Sequence, residues 1–258
     1  MTFGEPIYRH EIVGSTQDVA RDLARQGNPP GTVVTSEQMT AGRGRQGRKW
    51  YVPPGANVCL TAIAPPLPLE QTWQVGIVAG LAVVMALQDS LNRAGASLPP
   101  VLRFPNDVLL NRRKVCGVLV ETVRIGEANA EVVPLVGIGI NVRRTDPALA
   151  EEMPLEVAAR AISLEEATDL PFTVAEIEAC LLHHLTVEWG NWQRQGFGEI
   201  LRRWDSLRDS ESCRSFILDG QETLCRVEAL TANGWLTLRS VSGEHHSLHA
   251  AEVLLDDR

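Results

Sequence analysis

The run Val75 to Leu87, VGIVAGLAVVMAL, passes thirteen residues without a polar side chain. No other stretch restricts the fold as much. A bilayer-spanning helix needs about 20 such residues, and this run stops short and contains Gly76 and Gly80. It reads as a helix that the rest of the chain must enclose. A chain of 258 residues, 44% of them hydrophobic, has the material to do so, and its length suits one large domain or one large and one small. The expectation is a globular protein with no membrane contact. The five cysteines, Cys59, Cys116, Cys180, Cys213 and Cys225, are odd in number and lack a Cys-x-x-Cys pair. That fits reduced thiols of a cytoplasmic protein better than a disulfide framework, and the first residues lack the basic and apolar regions of an export signal.

Local signals place the other elements. GSTQDVARDLARQGN predicts a short helix capped by Ser15 or Thr16 and ended by Gly27. GTVVTSEQ and Asn57 to Ala64 read as strands, and the apolar run sits within a long helix from about Glu70 to Arg93. Strand-like runs follow near Val101 to Phe104, Asp107 to Leu110 and Lys114 to Thr122, then EVVPLVGIGINV. Thr173 and Glu176 have capping-box spacing before a helical apolar period through Trp192, and a second helix covers roughly Phe197 to Ser206. After Ser210 the character changes to short strands with turns at LDGQ, TANG and VSGE, as in a small β-barrel-like domain.

The segment Gly42 to Trp50, GRGRQGRKW, packs three glycines and four cations into nine positions of a chain with formal net charge −8. Glycines let successive backbone N–H groups converge and arginines add forked donors, so the segment reads as an anion site for phosphate or carboxylate. A basic loop against nucleic acid is the alternative from the residues alone. It matches neither the Walker A spacing nor G-x-G-x-x-G opening a helix, and the chain has no Gly-x-Ser-x-Gly nucleophile motif. Of 24 Lys plus Arg only Lys49 and Lys114 are lysines, which singles out positions where a compact ammonium matters.

The ordered set GSTQ, TAGRGRQGRKW, RFPNDVLLNRRKVCGVLVE and GIGIN, over residues 10 to 142, closely resembles biotin protein ligases, also called biotin–acetyl-CoA-carboxylase ligases. The resemblance implies an α/β (α+β) fold: a mixed β-sheet catalytic domain flanked by helices over residues 1–209, of the class II synthetase-like biotin–lipoate ligase type, and an SH3-like C-terminal β-barrel over 210–258. It implies that biotin and ATP, with Mg2+, give biotinyl-5′-AMP and pyrophosphate, after which biotin passes to one lysine of a biotin carboxyl carrier protein. GSTQ begins only 14 residues in, so the expectation is a monofunctional form without an N-terminal DNA-binding domain, with no DNA partner. A homodimer is compatible with the resemblance.

Carried over by motif, the catalytic residues are Arg43, Arg45, Lys114 and Asp107. The biotin site comprises Ser15, Thr16, Gln17, Met39, Arg43, Gly44, Arg45, Lys114 and Gly117. The nucleotide site comprises Gly42, Arg45, Arg48, Trp50, Asn106, Lys114 and Asn141. Lys114 would bridge the biotin carboxylate and the α-phosphate, Trp50 would stack on adenine, and Asp107 is a candidate base for the transfer step. Read from the residues alone, Ser15 and Thr16 are equally helix caps and Trp50 plain core. Arg103-Phe104 stands where the family usually has Lys-Trp, Met39 where it has glutamine, and Gln17 where asparagine is common. A lipoate or octanoate ligase of the same superfamily is the rival enzyme. No metal site is expected, since HHSLH at 245–249 is one short strand or turn.

Overall fold

The computed structural model describes residues 1–124, 131–145 and 153–254. One mixed sheet dominates. In chain order its strands are β1 (Ile7–Val13), β2 (Val33–Met39), β3 (Asn57–Ile63), β4 (Leu67–Pro68), β5 (Val101–Arg103), β6 (Asp107–Leu110), β7 (Arg113–Val123) and β8 (Glu131–Asn141). They lie in the order β1-β2-β3-β8-β7-β6-β5, with β4 beside β8. Among the described strands of this sheet β1 and β2 pair in parallel and the others pair antiparallel. All seven residues of β3 are buried, as expected of a central strand covered on both faces.

Two helices cover those faces. Successive strand residues point to opposite sides, and β2 shows the result: Val33 joins the large core, whereas Val34 joins a smaller cluster with Ile63, Val123 and Leu135. Helix α1 (Thr16–Arg25) seals the smaller cluster with Ala20 and Ala24, and Ser15 is its N-cap. Helix α2 (Thr72–Arg93) carries the apolar run and lies on the other face, with fifteen of its 22 residues buried. By length and hydropathy this helix could cross a membrane. Here it is enclosed instead, by β7 and β8 below and by α5 (Val174–Gln195) and α6 (Phe197–Leu207) above. Two short helices, α3 (Leu155–Arg160) and α4 (Leu164–Thr168), precede α5.

The tail is a four-stranded antiparallel sheet in the order β12-β11-β10-β9, formed by β9 (Cys213–Leu218), β10 (Gln221–Leu230), β11 (Trp235–Ser240) and β12 (His245–His249), followed by α7 (Ala250–Leu254). Its buried residues Phe216, Val227, Leu236 and Leu238 belong to the same hydrophobic cluster as α2. Trp73 at the start of α2 is the joint. Its ring meets Phe197 edge-on at 5.0 Å and His249 at 6.1 Å. Arg208 adds a polar clamp by donating to the carbonyls of Val227 and Glu228 at 2.9 and 2.7 Å.

The sequence reading misses β1, the short helices α3 and α4, and α7. β1 alternates too few apolar residues to stand out, because it is an edge strand with a partly exposed face. α3 and α4 have six and five residues, below the length at which periodicity is readable. Because Trp73 serves both sheets, Trp73→Ala is expected to cost about 3–5 kcal/mol, read as a lower urea midpoint. Leu155→Ala, at a side chain 87% exposed, is expected to stay within about 0.5 kcal/mol.

Candidate active site

On the α1 face the strand register sets a floor. One row across the sheet runs Asp107, Gly117, Gly139, Cys59, and a neighbouring row runs Leu119, Gly137, Thr61. The three glycines leave a shallow trough, because a Cβ on any of them would meet a side chain already lying there. At Gly139 it would come 2.5 Å from the Trp50 ring, and at Gly137 2.6 Å from Gln17 Nε2. Above this floor opens a cavity of about 660 Å3.

One end of the cavity is formed by the start of α1. Ser15 Oγ caps the helix by accepting from Gln17 N–H at 3.3 Å. Thr16 Oγ1 accepts from Thr61 at 2.9 Å and donates to Met39 Sδ at 3.7 Å. Gln17 Nε2 donates to the Leu119 carbonyl at 3.0 Å, while its Oε1 is buried without a partner. A buried acceptor left in this condition is costly unless something donates to it.

The other end is cationic. Eight Lys or Arg residues and two carboxylates, Asp107 and Glu156, line the cavity among the described residues. Asp107 is the centre of charge organisation. Lys114 Nζ lies 2.6 Å from Oδ1, Arg103 Nη2 2.8 Å and Arg214 Nη1 3.7 Å from Oδ2. Burial works against its charge, but Lys114, then Arg214 and Arg103, outweigh it and hold the carboxyl at about 2. Lys114 also stands 5.3 Å over the Trp50 ring.

The glycine-arginine segment is a closed hairpin. Trp50 N–H donates to Gly42 O at 2.9 Å, Arg43 and Lys49 form a bridge, and a single turn at Arg45–Gly47 places Gln46 at φ 56°. Arg43 pins it to the body. Its guanidinium donates to both Asp18 oxygens at 2.9 and 2.6 Å and to Glu121 Oε1 at 3.1 Å. The pairing with Arg43 holds Asp18 below its usual range, and Asp18 first, then Glu121, raise Arg43 above its own.

Of the residues singled out by sequence, Ser15, Thr16, Gln17, Met39, Arg43, Gly44, Arg45, Arg48, Trp50, Asn106, Asp107, Lys114, Gly117 and Asn141 all line this cavity. Gly42 does not. It is buried at the hairpin base, where a Cβ would come 2.6 Å from Trp50 O, so its place is in closing the hairpin. Three other assignments shift in character. Arg43 spends its donors on carboxylates. Asn106 pairs with the peptide of Val118, donating from Nδ2 at 2.7 Å and accepting at its own carbonyl. Asn141 Nδ2 donates to Ile162 O at 3.2 Å and its Oδ1 accepts from Asn57. The Asp107 carboxylate, a candidate base by sequence, is engaged by Lys114 and Arg103, with Arg214 close by, and these cations keep it ionised.

Sequence reasoning quoted GIGIN but gave Gly137 and Gly139 no place in the site, although glycines at alternate strand positions signal a close approach. It also missed Arg214, which reaches in from β9 and donates to Phe104 O, and the wall made by Met153, Glu156 and Arg160.

The model of the biotin/lipoate A/B protein ligase family matches residues 10–141. The chain is 30% identical over 204 residues to the bifunctional ligase/repressor BirA of Bacillus subtilis, covering 79% of this chain and 59% of that protein. It is 33% identical over 183 residues to the biotin–[acetyl-CoA-carboxylase] ligase of Paracoccus denitrificans, covering 66% of this chain and 68% of that one. The chain thus spans about three-fifths of the Bacillus relative's length. In fold it is similar to the biotin protein ligase from Aquifex aeolicus in complex with biotin and ATP, with TM-score 0.73 and 24% identity over 95% of this chain and 96% of that one.

The lowered Asp107 value has a measurable sign. A carboxyl depressed below its ordinary 3.8 contributes stability above about pH 4 and loses it as pH falls towards 2. Asp107→Asn is expected to be about 3 kcal/mol less stable at neutral pH, with the gap to the unaltered protein closing between about pH 4 and 2 in acid-unfolding curves.

Proposed function

Because the chain belongs to the biotin/lipoate A/B protein ligase family, we propose that it activates biotin with ATP to biotinyl-5′-AMP and transfers the biotinyl group to a lysine of a carboxylase's biotin carrier domain. The observation that carries this reading is a single cavity with two unlike ends. A small polar end with the unpartnered Gln17 Oε1 runs into a cationic end built around Lys114. Each end suits one part of the reaction.

The ureido head of biotin supplies N–H donors, and Gln17 Oε1 is the buried acceptor waiting for one; Ser15 and Thr16 offer hydroxyls beside it. Met39 adds a soft thioether where the family usually has an amide, which leaves Gln17 to supply the amide chemistry. The biotin carboxylate then points along the floor towards Lys114. In the first step a carboxylate oxygen bonds to the α-phosphorus and pyrophosphate leaves, so two anions must be brought together. Lys114, Arg45 and Arg214 neutralise that charge, and the glycine floor lets the reacting groups approach the sheet. Magnesium enters as part of the nucleotide substrate.

Asp107 acts through Lys114. Its carboxylate fixes the ammonium position at 2.6 Å, and Arg103 and Arg214 on the same carboxylate place two more cations at the phosphate end. Trp50 covers the floor with its ring and is the surface on which adenine would stack. In the second step the carrier lysine amine attacks the acyl carbon and AMP departs. Residues 1–209 serve as the catalytic domain and 210–258 as a small domain that contributes Arg214. Binding of nucleic acid by the Arg/Gly segment is disfavoured by the pairing of Arg43 with Asp18 and Glu121, which removes one of its cations from solvent.

The test is pyrophosphate release by purified protein with ATP and magnesium, with biotin, lipoate and octanoate in parallel. Release with biotin alone is expected, and Lys114→Ala is expected to lower it about 10²–10³-fold. Release with lipoate or octanoate in place of biotin would move the assignment to the sister activity. No release with any acid would overturn it.

A further inference from the structure

A second group of reactive side chains lies on the far side of the molecule from the cavity, where α5 crosses α2. Cys180 and His184 are four residues apart on α5 and therefore share one face. Asp89 faces them from the last turns of α2. One donor atom from each, a sulfur, a nitrogen and an oxygen, lie within 4.8 Å of one another. None of the three lines the ligase cavity.

The details favour a ligand. His184 is nine-tenths buried, and its Nε2 stands 2.8 Å from Asp89 Oδ2. Cys180 is buried, and its thiol makes only a long contact of 3.5 Å to Ala86 O. Asp89 is the exposed member, with 40% of its side chain open to solvent, so it marks the entry path. Arg93 approaches it from the next turn at 3.9 Å, and the His183 ring lies 5.2 Å from that of His184.

A thiolate, an imidazole and a carboxylate are the donors of a borderline-soft cation that accepts tetrahedral geometry. That describes zinc, whereas magnesium and calcium prefer oxygen alone. With metal–ligand distances of about 2.0–2.2 Å, two ligands on a tetrahedron stand roughly 3.4 Å apart. The His184–Asp89 hydrogen bond therefore has to open by about half an ångström. The half-exposed carboxylate has room to do this. We propose that Asp89, Cys180 and His184 form a zinc site that ties α2 to α5, with water in the fourth position. Uptake of the ion replaces the Cys180 thiol proton, which is released to solvent.

The proposal is independent of the ligase reading and is tested without activity. Chelator-treated protein is titrated with Co2+ as a spectroscopic probe. One equivalent is expected to give a sulfur-to-cobalt charge-transfer band with tetrahedral d–d bands, displaced by Zn2+. Cys180→Ser is expected to abolish the charge-transfer band, and Asp89→Asn, at an exposed position, to weaken binding tenfold or more. Cys213→Ser, at the exposed free cysteine, is expected to leave both unchanged. Zinc at about a hundredfold over its dissociation constant is expected to raise the melting temperature by about 5 °C in the unaltered protein and in Cys213→Ser, but not in Cys180→Ser. Absence of the band, its survival in Cys180→Ser, its loss in Cys213→Ser, or full affinity in Asp89→Asn would each overturn the site.

Discussion

Over Val75 to Leu87 helix α2 is apolar around its whole circumference, and a helix of that kind has no surface on which to rest. It must have a sheet beneath it and helices above it, so β7 and β8 pack on one side and α5 and α6 on the other. Everything functional follows from the sheet that this burial holds in place. With α2 and its companion helices on one face, the opposite face is left to carry a cavity, and α1 covers only part of it. The tail sheet is drawn into the same core through Trp73, which brings β9 close enough for Arg214 to reach the cavity.

The second constraint is electrostatic. An acidic chain gathers eight cations of its described residues around one cavity, and such a group repels itself unless anions are set among them. Asp107, buried between Lys114, Arg103 and Arg214, and the Asp18–Arg43–Glu121 cluster at the hairpin are those anions. Each spaces cations at fixed positions, so that an incoming phosphate or carboxylate meets an organised field and little reorganisation is required. Arg43 shows the division of labour within one loop: it holds the hairpin to the body, while Trp50 at the hairpin's end lies along the glycine floor.

Much of the fold was legible because its signals are local. The Ser15 cap, the Thr173–Glu176 spacing and the Gly-containing turns of the tail each depend on residues within four positions of one another. The candidate site was legible for a different reason, namely the ordered motifs. Those motifs named residues but not their partners. Asn106 and Asn141 were singled out as substrate contacts; both line the cavity, and the structure adds that their amides bond the carbonyls of Val118 and Ile162. Asp107 was singled out as a candidate base, and the structure adds the three cations around it, Lys114, Arg103 and Arg214.

By itself, then, the sequence determined the longer helices and the inner strands, the need to enclose Val75 to Leu87, and the concentration of positive charge at residues 42–50, because helix and strand periodicity, caps and composition act over short separations. Only the tertiary structure decided that Gly117, Gly137 and Gly139 form one floor, that Arg214 shares a carboxylate with Lys114, and that Cys180 and His184 meet Asp89. Those relations depend on strand register and helix crossing, which are settled by packing between residues up to about a hundred positions apart, and no local pattern records them.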